Sequence, residues 1–345
     1  MICEFYVGSY GKETEEGITR YQIDTENGRL TRLDGHALLY HPSYLCLQEE
    51  KGLLYAVQEQ VPEGKIHALK IIGKELVPCV SLSSGGADPC HLSLSEDGNM
   101  LYAANYTSGS LAAYRLSQDG LPVSMTDFKQ HDGKGPNPVR QECAHVHFST
   151  EHEGILYVCD LGLDKVFLYE LDTETGMLND TGKRLSLPLG NGPRHLAFHP
   201  AHPDMVYVLC ELAGQVAVFR DNDGNRDYRL VQLLDTLPEG FSGGNISAAV
   251  KISGNLLFAS NRGHDSIAVF NLKENGTLER MGIYLSGGKT PRDIEIFGDY
   301  LVAANQDSDC LTVLKIDRET GELSLTGERK SHVMPCCVCA YGQNP

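Results

Sequence analysis

A short alternating run, a turn and a second, wholly apolar run recur along this chain. In one copy, His91-Leu92-Ser93-Leu94 alternates, Glu96-Asp97-Gly98-Asn99 has the composition of a turn, and Leu101-Tyr102-Ala103-Ala104-Asn105 is apolar up to its last residue. A third run, Ser110-Leu111-Ala112-Ala113-Tyr114-Arg115-Leu116, follows. Runs of this length, punctuated by Gly, Asp and Asn, predict β-strands joined by tight turns. An Asp-x-x-x-Gly-x-Leu signature at Asp24 to Leu30, Asp172 to Leu178 and Asp317 to Leu323 then turns the chain into a fourth strand. No segment carries the periodicity of a helix of any length.

The copies open near Pro42, Pro89, Ala144, Pro193, Ile246 and Pro291, at spacings of roughly 44 to 55 residues, close to the range of four-stranded propeller blades. Six are complete. A seventh is split: Pro335-Cys336-Cys337-Val338-Cys339-Ala340 resembles a first strand, while Glu4 to Tyr10 and Gly17 to Ile23 resemble second and third strands. Joined, they make one blade, and a ring sealed in this way leaves only short, protected edges. The expectation is an all-β, seven-bladed β-propeller spanning 1–345 as a single domain, its ring closed by pairing the N- and C-terminal strands.

Composition narrows the function. The net charge of −17 argues against a nucleic-acid surface, which needs clustered Lys and Arg, and an anionic ligand would need a local basic pocket. Eleven cysteines lie mostly inside apolar runs, where a thiol behaves as a small hydrophobe. The first residues lack the basic and apolar regions of a signal peptide, and no run approaches a membrane span. These readings predict a cytoplasmic protein without a membrane partner, and leave the oligomeric state open.

Alignment of the copies places Tyr44, His91, His145, His195 and Asp293 at one position of the innermost strand, and Cys46, Ser93, His147, Ala197 and Glu295 two residues on. Leu92, Val146, Leu196 and Ile294 between them point into the packing, as a period of two requires. The second strands end at Asn105-Tyr106, Asp160-Leu161, Cys210-Glu211, Asn261-Arg262 and Asn305-Gln306, with Gln58-Glu59 in the first complete copy. Glu59, Tyr106, Glu211, Arg262 and Gln306 are therefore equivalent. With His145, His147 and Arg194 they form a candidate ligand pocket of convergent charged groups. His91, His145, His195 and Asp293 also fit a structural ring repeated from blade to blade. His147 departs from Ser93 and Ala197 and fits a functional role better, while Glu211, Arg262 and Arg292 could instead belong to an ion network. Cys336-Cys337-Val338-Cys339 lacks the second ligand pair of a zinc site. No metal or other cofactor is expected.

The motifs Pro89-Cys90-His91, Ala104-Asn105-Tyr106, Arg140-Gln141-Glu142 with His145-Val146-His147, Gly192-Pro193-Arg194-His195, Glu211-Leu212, Ser260 to Ser266 and Asn305 to Asp309 resemble, in order and over essentially the whole chain, the seven-bladed propeller lactonases, typified by 6-phosphogluconolactonases. Cys143 and Cys210 stand where that family more commonly has proline and asparagine. The resemblance implies hydrolysis of 6-phospho-glucono-1,5-lactone, a small anionic sugar lactone, in the oxidative pentose phosphate route. It implies catalytic roles for His147, Arg194, Glu211 and Arg262, and the aligned strand ends add Tyr106, Asn105, His145, Glu59 and Gln306 as expected substrate contacts. Glu211 or His147 would be the general base, with an arginine on the oxyanion and another on the phosphate. A muconate-type cycloisomerase could use the same residues, and a non-catalytic scaffold would show apolar hot spots instead.

Overall fold

The computed structural model describes residues 1–11, 17–36 and 39–341. Their strands form seven four-stranded antiparallel sheets, the blades of a β-propeller. Six blades use consecutive strands, and in the seventh Pro335–Ala340 pairs with Ile2–Ser9, which continues into Ile18–Asp24 and Arg29–His36. The split blade read from the sequence is the one observed, with Phe5 opposite Ala340 and Val7 opposite Val338. The turns into the fourth strands are built as the sequence signature predicts. Asp172 Oδ1 accepts the N–H groups of Glu174 and Thr175 at 3.0 and 3.1 Å, and Gly176 takes the positive φ of 77° that closes the loop.

The chain divides into two compact units. One comprises Met1–Ser9, Thr19–Leu33 and Pro193–Ala340, and the other Tyr10–Ile18, Asp34–Gly192 and Tyr341–Pro345. In each, the apolar faces of neighbouring blades pack together. Phe5, Tyr21, Val302, Val313 and Val338 form one such core in the first unit, and Tyr55, Ile66, Leu101, Ala112 and Tyr114 form one in the second. Tyrosines on the second strands pin blade to blade with their hydroxyls: Tyr55 donates to the Gly120 carbonyl at 2.6 Å and Tyr207 to that of Gly276 at 2.8 Å. A fully buried ring fills the core while its hydroxyl finds a partner at the rim. Among the described residues, no helix is long and apolar enough to cross a membrane.

The first strands carry a shared irregularity. Pro89 pairs with Asn105 but His91 with Ala104, so Cys90 is an extra residue. The same bulge leaves His147 between Val146 and Phe148, Arg194 between Pro193 and His195, and Arg292 between Pro291 and Asp293. A bulge re-aims the side chain of its extra residue.

Candidate active site

The bulges revise the alignment read from the sequence. His147 is equivalent to Cys90, Arg194 and Arg292, not to Ser93, Ala197 and Glu295, and Phe148 holds the place of His91, His195 and Asp293. His145 precedes its strand. Its carbonyl accepts the Leu161 N–H, just as Asp88 accepts that of Tyr106 and Thr290 that of Gln306. The slip is three residues, one of them the extra residue of the bulge, which a strict period of two does not allow for.

In the first unit, the bulge aims Arg194 at the end of the neighbouring second strand of its blade. Arg194 Nε lies 2.9 Å from Glu211 Oε2, and Arg262 Nη2 lies 2.7 Å from the same oxygen. All three side chains are buried, Glu211 at 1 % exposure. Arg262 also donates to the Ser247 carbonyl at 3.0 Å, and Arg194 Nη1 to the Ala248 carbonyl while lying 3.0 Å from His195 Nε2. Two guanidinium groups are thus gathered on one carboxylate and braced by main-chain carbonyls, an arrangement suited to recognising oxyanions. Gln306 is apart from this cluster in its bonding, with Nε2 3.1 Å from Asp307 Oδ1 and Oε1 3.4 Å from Arg292 Nη1.

The same unit holds a second buried group of charges. Lys251 Nζ lies 2.8 Å from Glu295 Oε2, and Asp293 Oδ2 accepts the Val338 N–H at 2.8 Å. Burial pushes the Asp293 carboxyl up to about 6 despite the opposing pull of Lys251. Burial disfavours the Lys251 cation, yet the Glu295 and Asp293 carboxylates outweigh it and hold its pKa above the ordinary lysine value. Lys251 was not singled out from the sequence. Its signal is that it is the lone charged residue of the strand Ile246–Ser253.

In the second unit, His147 is 5 % exposed and meets the Tyr106 ring edge-on at 5.6 Å. His145 stacks on Tyr106 at 4.4 Å, and Arg140 Nη2 donates to the Tyr106 hydroxyl at 3.1 Å. His145 Nδ1 lies 3.0 Å from the Tyr106 carbonyl, and its Nε2 lies 3.4 Å from Glu142 Oε1 and 3.7 Å from Cys143 Sγ. Burial, then the Glu142 and Asp160 carboxylates, raise the Cys143 thiol above its ordinary pKa. Gly162 lets this loop sit close, since a Cβ there would come within 1.9 Å of the Cys143 carbonyl oxygen. Glu59 accepts from the Tyr10 hydroxyl at 2.8 Å and from Ser43.

Asn105 is a brace. It is fully buried, and its amide donates to the Ser84 carbonyl at 3.0 Å and to Ser110 at 3.2 Å. Asn261 and Asn305, at the same place in their blades, are equally buried and bonded to Thr236 and Thr312. These bonds occupy the amide nitrogen of Asn105, while its Oδ1 is buried without a hydrogen-bond partner among the described residues.

Comparison with known proteins adds a family. The profile of "Lactonase, 7-bladed beta-propeller" matches residues 4–340. A 6-phosphogluconolactonase of Bacillus subtilis is 33 % identical over 344 residues, covering 96 % of this chain and 97 % of that protein. Among solved structures, a protein from Lactobacillus plantarum superposes with a TM-score of 0.91 at 30 % identity, covering 99 % of both chains. A periplasmic gluconolactonase of Pseudomonas aeruginosa gives 0.91 at 28 % identity over the whole of both.

Proposed function

The chain belongs to the seven-bladed β-propeller lactonase family, and on that premise we propose that its substrate is 6-phospho-glucono-1,5-lactone, opened by water to 6-phosphogluconate. Family membership makes it a lactone-hydrolysing enzyme. The choice of a phosphorylated lactone is supported by the relative from Bacillus subtilis and, above all, by one observation: Arg194 and Arg262 converge on the buried Glu211 carboxylate. In a chain of net charge −17, such a basic centre offers an anionic sugar a local attraction.

Opening the ring requires a water made nucleophilic, a stabilised oxyanion at the attacked carbonyl, and a proton for the ring oxygen that leaves. In this reading a guanidinium edge meets the developing oxyanion and the other arginine takes the phosphate in a bidentate grip. Glu211, held between the two, fixes their planes before substrate arrives, so their dipoles need no reorganisation during the reaction. The family resemblance carries over Glu211 or His147 as the base that takes the proton from water, with the other giving a proton to the ring oxygen as it leaves. The reaction's place would be the second step of the oxidative pentose phosphate route. The eleven cysteines all stand as thiols, which favours the reducing cytoplasm.

The Pseudomonas neighbour supports a second reading, in which the lactone is not phosphorylated. Hydrolysis of freshly generated 6-phosphogluconolactone and of glucono-1,5-lactone, each with its spontaneous rate subtracted, separates the two. The phosphorylated lactone is expected to be preferred, with Arg194→Ala and Arg262→Ala each losing ~100- to 1,000-fold in kcat/KM. Equal turnover of both lactones would transfer the assignment to the second reading. Unchanged rates in both arginine variants would remove the cluster from the reaction.

A further inference from the structure

We propose that Glu142, Cys143 and His145 form a zinc site, with an open fourth position for water. The Glu142 carboxylate, the Cys143 thiol and the His145 imidazole each offer one donor atom, and these atoms all lie within 4.8 Å of one another. Two separations are close to those of a formed centre. Bonds of about 2.0–2.1 Å to nitrogen and oxygen and about 2.3 Å to sulfur, meeting at tetrahedral angles, put nitrogen about 3.3 Å from oxygen and about 3.6 Å from sulfur. The observed values are 3.4 Å from His145 Nε2 to Glu142 Oε1 and 3.7 Å from His145 Nε2 to Cys143 Sγ. For these two pairs metal entry would need only a small adjustment, and the Glu142 and Cys143 donors, within 4.8 Å of each other, would close on the ion.

An independent observation points the same way. The Tyr106 carbonyl can only accept, so the 3.0 Å contact to His145 Nδ1 makes that nitrogen the donor. In the neutral ring, the lone pair then lies on Nε2, the atom facing Glu142 and Cys143. A carbonyl fixing the tautomer and plane of a histidine is the usual outer support of a metal ligand. Stacking on Tyr106 holds the ring further, and Gly162 permits the tight loop. Arg140, whose charge reaches Glu142, opposes a cation here, while the Asp160 carboxylate, which accepts the main-chain N–H of His145 at 2.9 Å, favours one.

The donor set chooses the metal. A thiolate with an imidazole and one carboxylate suits zinc, and is too soft for magnesium or calcium. Three protein ligands with Glu142 half exposed leave the fourth position to solvent, unlike the closed four-ligand sites that only stabilise structure. The site does not depend on the identity of the lactone.

Cobalt is the probe, because thiolate ligation gives it a near-ultraviolet charge-transfer band. The reduced, metal-stripped full chain is titrated anaerobically with Co²⁺, then with Zn²⁺ against a chromophoric chelator. One equivalent of cobalt should produce the band, and zinc should abolish it. Cys143→Ser should lose the band, and Glu142→Gln, at a half-exposed side chain that the fold does not need, should weaken zinc by at least ~10-fold. A band that survives Cys143→Ser, cobalt bound without any band, or unchanged zinc affinity in both variants would overturn the site. Metal held instead by His199 and His202, whose rings lie 4.5 Å apart, would show as binding insensitive to both substitutions.

Discussion

Glu211 is the residue on which the candidate active site turns, because two cations share one of its oxygens at 1 % exposure. Removing one partner of a buried ionic group leaves charge without its counterpart in a poorly solvated place, which costs about 3–5 kcal/mol. Glu211→Gln should therefore lower unfolding free energy by that amount as well as slow hydrolysis, as read by urea denaturation. A loss under ~1 kcal/mol would mean the arginines do not need the carboxylate to stay in place. Asp293 predicts the opposite sign. Its folded pKa of about 6 lies above the ordinary carboxyl value, so the native state holds the proton more tightly and stability falls as pH rises from about 4 to 6. Asp293→Asn should match the parent near pH 4 and exceed it by about 2–3 kcal/mol at pH 7. Parallel stability curves for the two proteins would refute the shift.

At the scale of the strand, the bulge decides which side chain is presented. Arg194 is the extra residue between Pro193 and His195, and its guanidinium reaches Glu211. Exchanging the pair, Arg194→His with His195→Arg, conserves composition and charge but moves the guanidinium to a regular strand position. Activity on the phosphorylated lactone should fall about as far as in Arg194→Ala, roughly 100-fold or more, while the far-ultraviolet circular dichroism stays unchanged. Full activity in the exchanged protein would show that charge in the region suffices and the bulge is incidental. The sequence names Arg194 and His147 as unusual residues, yet it sets His147 three positions off, because a strict period of two takes no account of the bulge's extra residue.

For the molecule as a whole, the seventh blade is the seam. Pro335–Ala340 supplies its innermost strand, and Cys336, Cys337, Val338 and Ala340 are each buried there. Burial of such side chains contributes roughly 1–3 kcal/mol apiece for the larger ones, comparable in sum with the net stability of a typical protein, about 5–15 kcal/mol. Its loss would also expose the edge of Ile2–Ser9. A chain ending at Ser331 should accordingly be insoluble or melt without a cooperative transition, measured by thermal denaturation of the soluble fraction. A sharp melt within a few degrees of the full chain would mean that the remaining blades do not need the seam.

The blade count, the split seventh blade and the turn chemistry were legible in the sequence, because a local pattern repeated six times averages out its own irregularities. The charged residues at strand ends were legible too, since each broke a repeated position. What they bond to was not. Glu211 and Arg262 lie 51 residues apart, Lys251 and Glu295 are 44 apart, and such pairs form only when neighbouring blades pack. The burial of Asn105, the bulges that re-aim His147 and Arg194, and the approach of Glu142, Cys143 and His145 to one another are likewise settled by backbone geometry. Periodicity records which face a residue takes. It does not record how far along that face its side chain lies, and the chemistry here depends on that distance.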